Sequence, residues 1–100
     1  MKSFAEKCYD VLRRVPRGKV TTYKAIAKAL SSKAYRAVGT AMNKNPYAPE
    51  VACHRVVNSD GKVGGFASGQ KKKIEILKSE GVEVENGKII DFENKLFVFD

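Results

Sequence analysis

Two closely spaced prolines, Pro46 and Pro49, limit what this chain of 100 residues can fold into. Each proline lacks a backbone N–H and restricts the preceding residue to extended conformations, so residues 45–49 cannot be helical. We expect a rigid loop here, between a first half with helical periodicity and the stretch 51–57. Asn45 opens the loop, where its side chain can bond to backbone groups and hold the loop against that stretch.

A first helix is predicted over residues 4–14. Ser3 and Glu6 have the spacing of a capping box, and apolar residues then recur at helical intervals. Cys8 lies on this apolar stripe, so we expect it in the core. Pro16 ends the helix.

Two further short helices are expected before the loop. Thr21 or Thr22 can cap the second, and Ser31 or Ser32 can cap the third, which covers about residues 33–43. In the third helix the inward residues are Tyr35, Val38 and Met42, and the outward ones are Arg36, Thr40 and Asn43. Such a pair is typical of a helix-turn-helix, although many small helical domains contain one without touching DNA.

Beyond the loop the pattern favours short β elements and one more helix. Residues 51–57 are apolar enough for a half-buried extended stretch, residues 63–69 form a glycine-rich loop, and a fourth helix covers about residues 70–80. Lysines 71–73 in its first turn oppose the helix dipole, which indicates a phosphate partner. Asn86-Gly87 predicts a hairpin turn.

These elements together predict the fold class. We expect a mostly α protein with small β elements, a winged-helix-like helix-turn-helix domain with a C-terminal β-hairpin. At this length residues 1–100 form a single domain. The chain lacks a membrane-spanning apolar run and a signal peptide, so a cytoplasmic protein is expected.

The positive charge is concentrated in one half of the chain. The net charge is +8, and residues 1–49 carry eleven Lys and Arg against two acids, whereas residues 50–100 carry eight against nine. An excess confined to one half favours a face that binds a polyanion, usually nucleic acid. General solubility charge is the alternative.

Cys53 and His54 are the residues best suited to chemistry. A cysteine beside the only histidine supplies a nucleophile and a base. Neighbouring residues of an extended strand point to opposite faces, so a bridging water or a local bend is needed to bring them together. The alternative is a buried thiol beside a histidine with a structural partner. Two cysteines and one histidine are too few for an independent four-ligand zinc site, and we expect no metal or other cofactor.

The motif around this pair resembles a known family. The run Ala52-Cys53-His54-Arg55-Val56-Val57, preceded by Asn45-Pro46 and Arg36-Ala37-Val38-Gly39, is similar to the active-site domain of the methylated-DNA–protein-cysteine methyltransferases. The resemblance covers residues 4–81 and implies a DNA repair protein without that family's N-terminal domain. It implies a monomer that binds the minor groove of double-stranded DNA, flips O6-alkylguanine out of the duplex, and transfers the alkyl (methyl) group irreversibly to its own cysteine in a single turnover.

The resemblance also implies roles for individual residues. Cys53 would be the alkyl acceptor, activated through a water by His54, which Glu80 orients. Tyr23 and Arg36 would extrude the base and fill the vacated space. The remaining implied contacts are Lys33, Thr40 and Asn43 on DNA, Asn45 as a hinge, and Val56, Ala67 and Ser68 around the flipped base.

Three positions depart from the family pattern. Ala52 replaces the usual proline, Phe66 occupies a common tyrosine position, and Ala67 stands where a serine often contacts the guanine. The first alternative function is that of an alkyltransferase-like protein, a short relative that binds and flags alkylguanine without transfer. Those proteins replace the acceptor cysteine, usually with tryptophan, whereas Cys53 is present here. A basic helix-turn-helix regulator is the second alternative, and it leaves the Cys-His pair without a role.

Overall fold

The structure, a computed structural model, describes residues 2–48, 50–66 and 68–99. It is mostly helical with small β elements, as predicted. In chain order the elements are α1 (Phe4–Leu12), β1 (Thr21–Thr22), α2 (Tyr23–Ala29), α3 (Tyr35–Asn43), a 3-10 turn (Cys53–Arg55), β2 (Val56–Val57), α4 (Gln70–Ser79), β3 (Val84–Glu85), β4 (Lys88–Ile89) and α5 (Phe92–Lys95). In these ranges no helix is both long and apolar enough to cross a membrane.

Helix α1 starts where the sequence predicts and ends two residues early. The Ser3 hydroxyl oxygen accepts from the Glu6 amide at 3.2 Å, which satisfies one of the free amides of the first turn. After Leu12 the chain tightens, and the Val15 amide donates to the Leu12 carbonyl at 3.0 Å. Pro16 disfavours helical geometry at Val15, so the helix cannot continue. Cys8 is fully buried, which confirms its place in the core.

Helices α2 and α3 form the expected pair, but α3 begins later than predicted. The Thr22 hydroxyl caps α2 by accepting from the Ala25 amide at 2.9 Å. Neither serine caps α3: Ser32 accepts from the Ala34 amide at 3.0 Å, inside the preceding turn. Helix α3 therefore starts at Tyr35, and its N-cap has no side-chain hydrogen bond.

The prediction that Tyr35 points inward is wrong. Its relative exposure is 44%, whereas Val38 is fully buried. All five residues from 33 to 37 are exposed, so the first turn of α3 lies outside the helical core. The inward stripe begins one turn later, with Val38, Ala41 and Met42 at helical spacing.

The strands form two small pairs, β1 with β2 and β3 with β4. Parallel strands β1 and β2 align Thr21 with Val56 and Thr22 with Val57. This pairing, which the sequence did not predict, fixes the start of α2 beside the Cys-His turn. The antiparallel pair β3–β4 confirms the hairpin, with positive φ at Asn86 and Gly87 as a tight turn between twisted strands requires.

The apolar core of the described residues has two clusters, and strand β2 contributes to both. Val56 packs in the cluster between α1, α2 and α3, with Cys53 and Tyr23 at its edge. Val57 packs in the second cluster, under α4 and the hairpin. Because side chains of adjacent strand residues alternate, this two-residue strand joins the helical half to the α4 half, directly after the Cys53–Arg55 turn.

Candidate functional site

Cys53 and His54 lie in a tight turn. The prediction of an extended stretch through 51–57 is wrong at Cys53–Arg55, which forms a 3-10 turn. The Cys53 amide donates to the Val51 carbonyl and the Arg55 amide to the Ala52 carbonyl, both at 2.9 Å. These short-range bonds supply the local bend that a cooperating Cys-His pair needs. Cys53 stays partly exposed while His54 is buried.

The Glu80 carboxylate contacts the His54 ring. Nε2 of His54 lies 3.1 Å from Oε1 of Glu80, and their side chains are only 6% and 10% exposed. Glu80 caps the C-terminal end of α4, and this helix packs against the 3-10 turn. Burial lowers the pKa of His54, although contact with Glu80 opposes the shift, and the net effect favours the neutral imidazole. The contact is one of distance, because Nε2 of His54 makes no well-aligned hydrogen bond within the described part of the chain.

Arg55 is part of this cluster, and the sequence reasoning gave it no role. Its Nε donates to Oε1 of Glu80 at 3.0 Å and its Nη2 to Oε2 at 2.8 Å, a bidentate pair. Nη1 donates to the Val15 carbonyl at 2.9 Å. Burial acts to raise the pKa of Glu80, but the hydrogen bonds from Arg55 and the proximity of His54 outweigh it and lower that pKa. The position of Arg55 directly after His54 was the one feature of the sequence that could have indicated a role in the site.

Lys73 corrects the expectation of a phosphate partner for lysines 71–73 in the first turn of α4. Its side chain is fully buried. Nζ donates to the carbonyls of Val56 at 2.6 Å, Val63 at 2.6 Å and Gly65 at 3.0 Å, so all three of its N–H groups are satisfied. Burial lowers the pKa of Lys73 to about 8, so the ammonium is mostly charged at neutral pH. The sequence signal was its position one turn before the inward Leu77, on the same helix face.

The loop predicted to be rigid is tied to the Cys-His turn by Asn45. Its Nδ2 donates to the Val51 carbonyl at 2.7 Å, and its Oδ1 accepts from the Tyr47 amide at 2.9 Å. The Val51 carbonyl also accepts from the Cys53 amide. One side chain thus connects the residue after α3 with the backbone that enters the turn.

The other candidate residues divide between the site and the surface of α3. Tyr23, the first residue of α2, is half buried, and its pKa is raised by burial and then by the nearby charge of Cys53. Four further candidates are exposed, namely Lys33, Arg36, Thr40 and Asn43. Within the described ranges, no hydrogen bond or ion pair joins the Arg36 side chain to the Cys53 turn.

Of the three residues predicted around the flipped base, the structure describes two, Val56 and Ser68. Val56 is buried, its amide donates to Cys53, and its carbonyl already accepts from Lys73, so a further partner must use the second lone pair of that oxygen. Ser68 is exposed just before α4. Ala67 lies outside the described residues.

Comparisons with known proteins agree with this arrangement. Residues 3–82 match the family described as 6-O-methylguanine DNA methyltransferase, DNA binding domain. A methylated-DNA–protein-cysteine methyltransferase of Methanosarcina acetivorans is 46% identical over 79 residues, which are 78% of this chain and 51% of that protein. The chain thus spans about half the length of the curated methyltransferases it matches.

Two solved structures share the fold. The crystal structure of O6-methylguanine-DNA methyltransferase from Pyrococcus kodakaraensis strain KOD1 matches with a TM-score of 0.74 at 47% identity, covering 82% of this chain and 48% of that one. S. pombe Atl1, in complex with damaged DNA containing O6-carboxymethylguanine, matches with a TM-score of 0.82 at 30% identity, covering 97% and 98%. The family match includes the Cys-His turn, α4 and Glu80. The chain therefore belongs to the family of the 6-O-methylguanine DNA methyltransferase DNA-binding domain.

Proposed function

We propose that this protein repairs O6-alkylguanine in double-stranded DNA by moving the alkyl group to Cys53. A new bond forms between Sγ and the alkyl carbon, and the bond from that carbon to O6 breaks. Its electron pair returns to the guanine, which takes up one proton. The thioether is not hydrolysed, so each molecule acts once. The observation that carries this proposal is the contact between His54 and Glu80 beside a partly exposed Cys53.

The proton of Cys53 needs an acceptor, because the thiolate is the reactive form of a cysteine. His54 is the only histidine, and its Nε2 lies 3.1 Å from Glu80. We infer that Nε2 turns its proton toward Glu80 during the reaction, which leaves Nδ1 free to accept a proton. We infer that a water carries the proton from Sγ to Nδ1. Glu80 then stabilises the imidazolium that forms, as a carboxylate does in other nucleophile–histidine–acid systems.

DNA is the proposed partner, bound by one protein molecule in the minor groove. Helix α3 offers Arg36, Thr40 and Asn43 on its exposed side, with Lys33 in the turn before it. Reaction requires that the alkylated guanine leave the base stack, since its O6 is inaccessible within the duplex. Tyr23, near Cys53, and Arg36, on α3, are the residues proposed to expel it and to occupy the gap. The Atl1 complex with damaged DNA supports this partner.

A second function is suggested by one of the similar structures. S. pombe Atl1, which was solved with damaged DNA, shares the fold of this chain with a TM-score of 0.82. A protein that only binds and flags O6-alkylguanine would need the α3 surface and the base pocket, but no acceptor. The presence of Cys53 with His54 and Glu80 favours transfer.

The two functions are separated by the fate of the DNA. Excess protein is mixed with a duplex that contains one O6-methylguanine, the DNA is digested to nucleosides, and O6-methylguanine is quantified. Transfer predicts its loss with the wild-type protein and its persistence with Cys53→Ser, which still binds the duplex. Cys8→Ser, which changes a buried thiol in α1, should repair like the wild type. Binding without any loss of O6-methylguanine would establish the flagging function instead.

A further inference from the structure

Glu80 occupies an unfavourable place for a charged carboxylate. It stands at the C-terminal end of α4, where the helix dipole is negative. Its side chain is only 10% exposed, so water screens it poorly. An acid in such a place tends to take up a proton and lose the charge that the proposed relay needs. Something nearby must keep it ionised and fix its orientation.

The geometry points to Arg55 as the residue that positions this relay, by fixing the Glu80 carboxylate with Oε1 against His54 and anchoring it to the chain after α1. This role rests on the proposed transfer to Cys53. Arg55 is a positioning residue, since it acts through Glu80 and His54 and does not contact the reacting atoms.

Two of the three donor groups of Arg55 bind the Glu80 carboxylate, and the third binds the backbone. Nε and Nη2 bind one carboxylate oxygen each, at 3.0 and 2.8 Å, and a bidentate pair of this kind fixes both the distance and the rotation of the carboxylate. Nη1 binds the Val15 carbonyl at 2.9 Å and so fixes the guanidinium itself. A lysine could supply the charge but not the planar fork.

The anchor at Val15 ties together distant parts of the chain. Val15 is buried directly after α1, Arg55 belongs to the 3-10 turn, and Glu80 ends α4. A shift of α4 relative to the end of α1 would therefore pull on the Arg55 hydrogen bonds that join them. The relay is complete only when both halves of the domain are packed together.

The charged groups around His54 determine how the loss of Arg55 would change the pKa values of Glu80 and His54. Glu80 and Lys73 from α4 and Arg55 from its own turn act on the imidazole, and Arg17 reaches the Ser79 carbonyl next to Glu80. Without Arg55, the Glu80 carboxylate keeps, among the described residues, only His54 as a close polar partner. It should then gain a proton at higher pH, and the positive charge that opposes protonation of His54 disappears.

The first test is the pH profile of alkylation by free O6-benzylguanine, which does not require DNA binding. Arg55→Gln should lower the rate about 10-fold or more, in the range for impaired general-base assistance, and move the acid limb of the profile to higher pH. Arg55→Lys keeps the positive charge but not the fork. Its acid limb should therefore lie near that of the wild type, while its maximal rate stays low. In a Glu80→Gln background, Arg55→Gln should cost little further rate. A lower rate with an unmoved limb in Arg55→Gln would overturn the positioning role.

The second test does not depend on transfer. His54 is the only histidine, so its ring proton resonances can be titrated by NMR without assignment of other histidines. Arg55→Gln should raise the pKa of His54, and Arg55→Lys should leave it nearer to the wild-type value. Arg17→Gln is the matched control, because Arg17 is exposed and binds the neighbouring carbonyl, and it should leave the titration unchanged.

The two tests separate this inference from the proposed function. A wild-type protein that fails to alkylate Cys53 would refute transfer, while the NMR titration would still report on Arg55. An unchanged His54 titration in a folded Arg55→Gln protein would refute the positioning role, whatever the wild-type activity.

Discussion

The His54 Nε2 and Glu80 Oε1 atoms lie 3.1 Å apart, although the residues are separated by a turn, a strand, a glycine-rich loop and a helix. Their contact exists because α4 packs across the Cys53–Arg55 turn. We infer that it orients the imidazole as the base for Cys53.

Replacement of either residue should therefore slow alkylation strongly. His54→Ala and Glu80→Gln are each expected to reduce the rate about 10²-fold, the range for lost general-base assistance. Because they act as one unit, the double variant should lose much less than the product of the two effects. Rates are measured with free O6-benzylguanine, and DNA affinity serves as the control. Fully multiplicative losses, or a normal rate in Glu80→Gln, would exclude the relay.

Arg36 should matter only when the target base lies within a duplex. It is exposed on α3, and no described contact of its side chain reaches the Cys53 turn. Arg36→Ala should slow repair of O6-methylguanine in duplex DNA far more than reaction with free O6-benzylguanine, since only the first reaction requires base flipping. Lys88→Ala, an exposed change in the hairpin, is the control. Equal losses on both substrates would argue against a role for Arg36 in extruding the base.

Lys73 should be important for the stability of the domain. Lys73→Met keeps most of the buried chain but leaves the carbonyls of Val56, Val63 and Gly65 without their donor. An unsatisfied buried acceptor costs about 1–3 kcal/mol, so unfolding by urea should occur at clearly lower concentration. Lys72→Met, at an exposed position in the same turn, should change the midpoint little. Similar midpoints for both variants would contradict this account of Lys73.

The depressed pKa of Lys73 also predicts how stability depends on pH. Burial lowers it from 10.5 to about 8, so above pH 8 the unfolded chain binds more protons at this position than the folded protein. The free energy of unfolding should therefore rise with pH between about 8 and 10, by comparison with Lys73→Met, which lacks the titrating group. Urea denaturation at several pH values measures this difference. A difference that falls with pH in this window would mean that the buried ammonium is favoured over the neutral amine.

Local signals explain why much of the fold was predictable. The Ser3 cap, the cap at Thr22 and the Asn86-Gly87 turn each act through neighbouring residues, and each forms as expected. The other half of the capping box is replaced, because the Glu6 carboxylate accepts from the Tyr47 hydroxyl. The start of α3 was misplaced because two serines offered equivalent caps, and Ser32 bonds to the turn instead.

The site was less predictable, because its features depend on distant contacts. The 3-10 turn at Cys53 follows from the packing of its two sides, with Val51 and Val56 fully buried in one cluster. Lysine is normally a surface residue, and Lys73 can be buried only because three carbonyls converge on its ammonium group. The role proposed for Arg55 needs the Val15 carbonyl, forty positions away in sequence, which no local pattern indicates.

Transfer to Cys53 is tested most directly by the mass of the protein after reaction. The protein is incubated with an excess of duplex DNA containing O6-methylguanine, and intact mass and peptide masses are recorded by mass spectrometry. We predict the gain of one methyl group per molecule, located on the Cys53 peptide, with no further increase at longer times. Repaired DNA beside an unmodified Cys53, or a methyl group on Cys8 instead, would contradict this account.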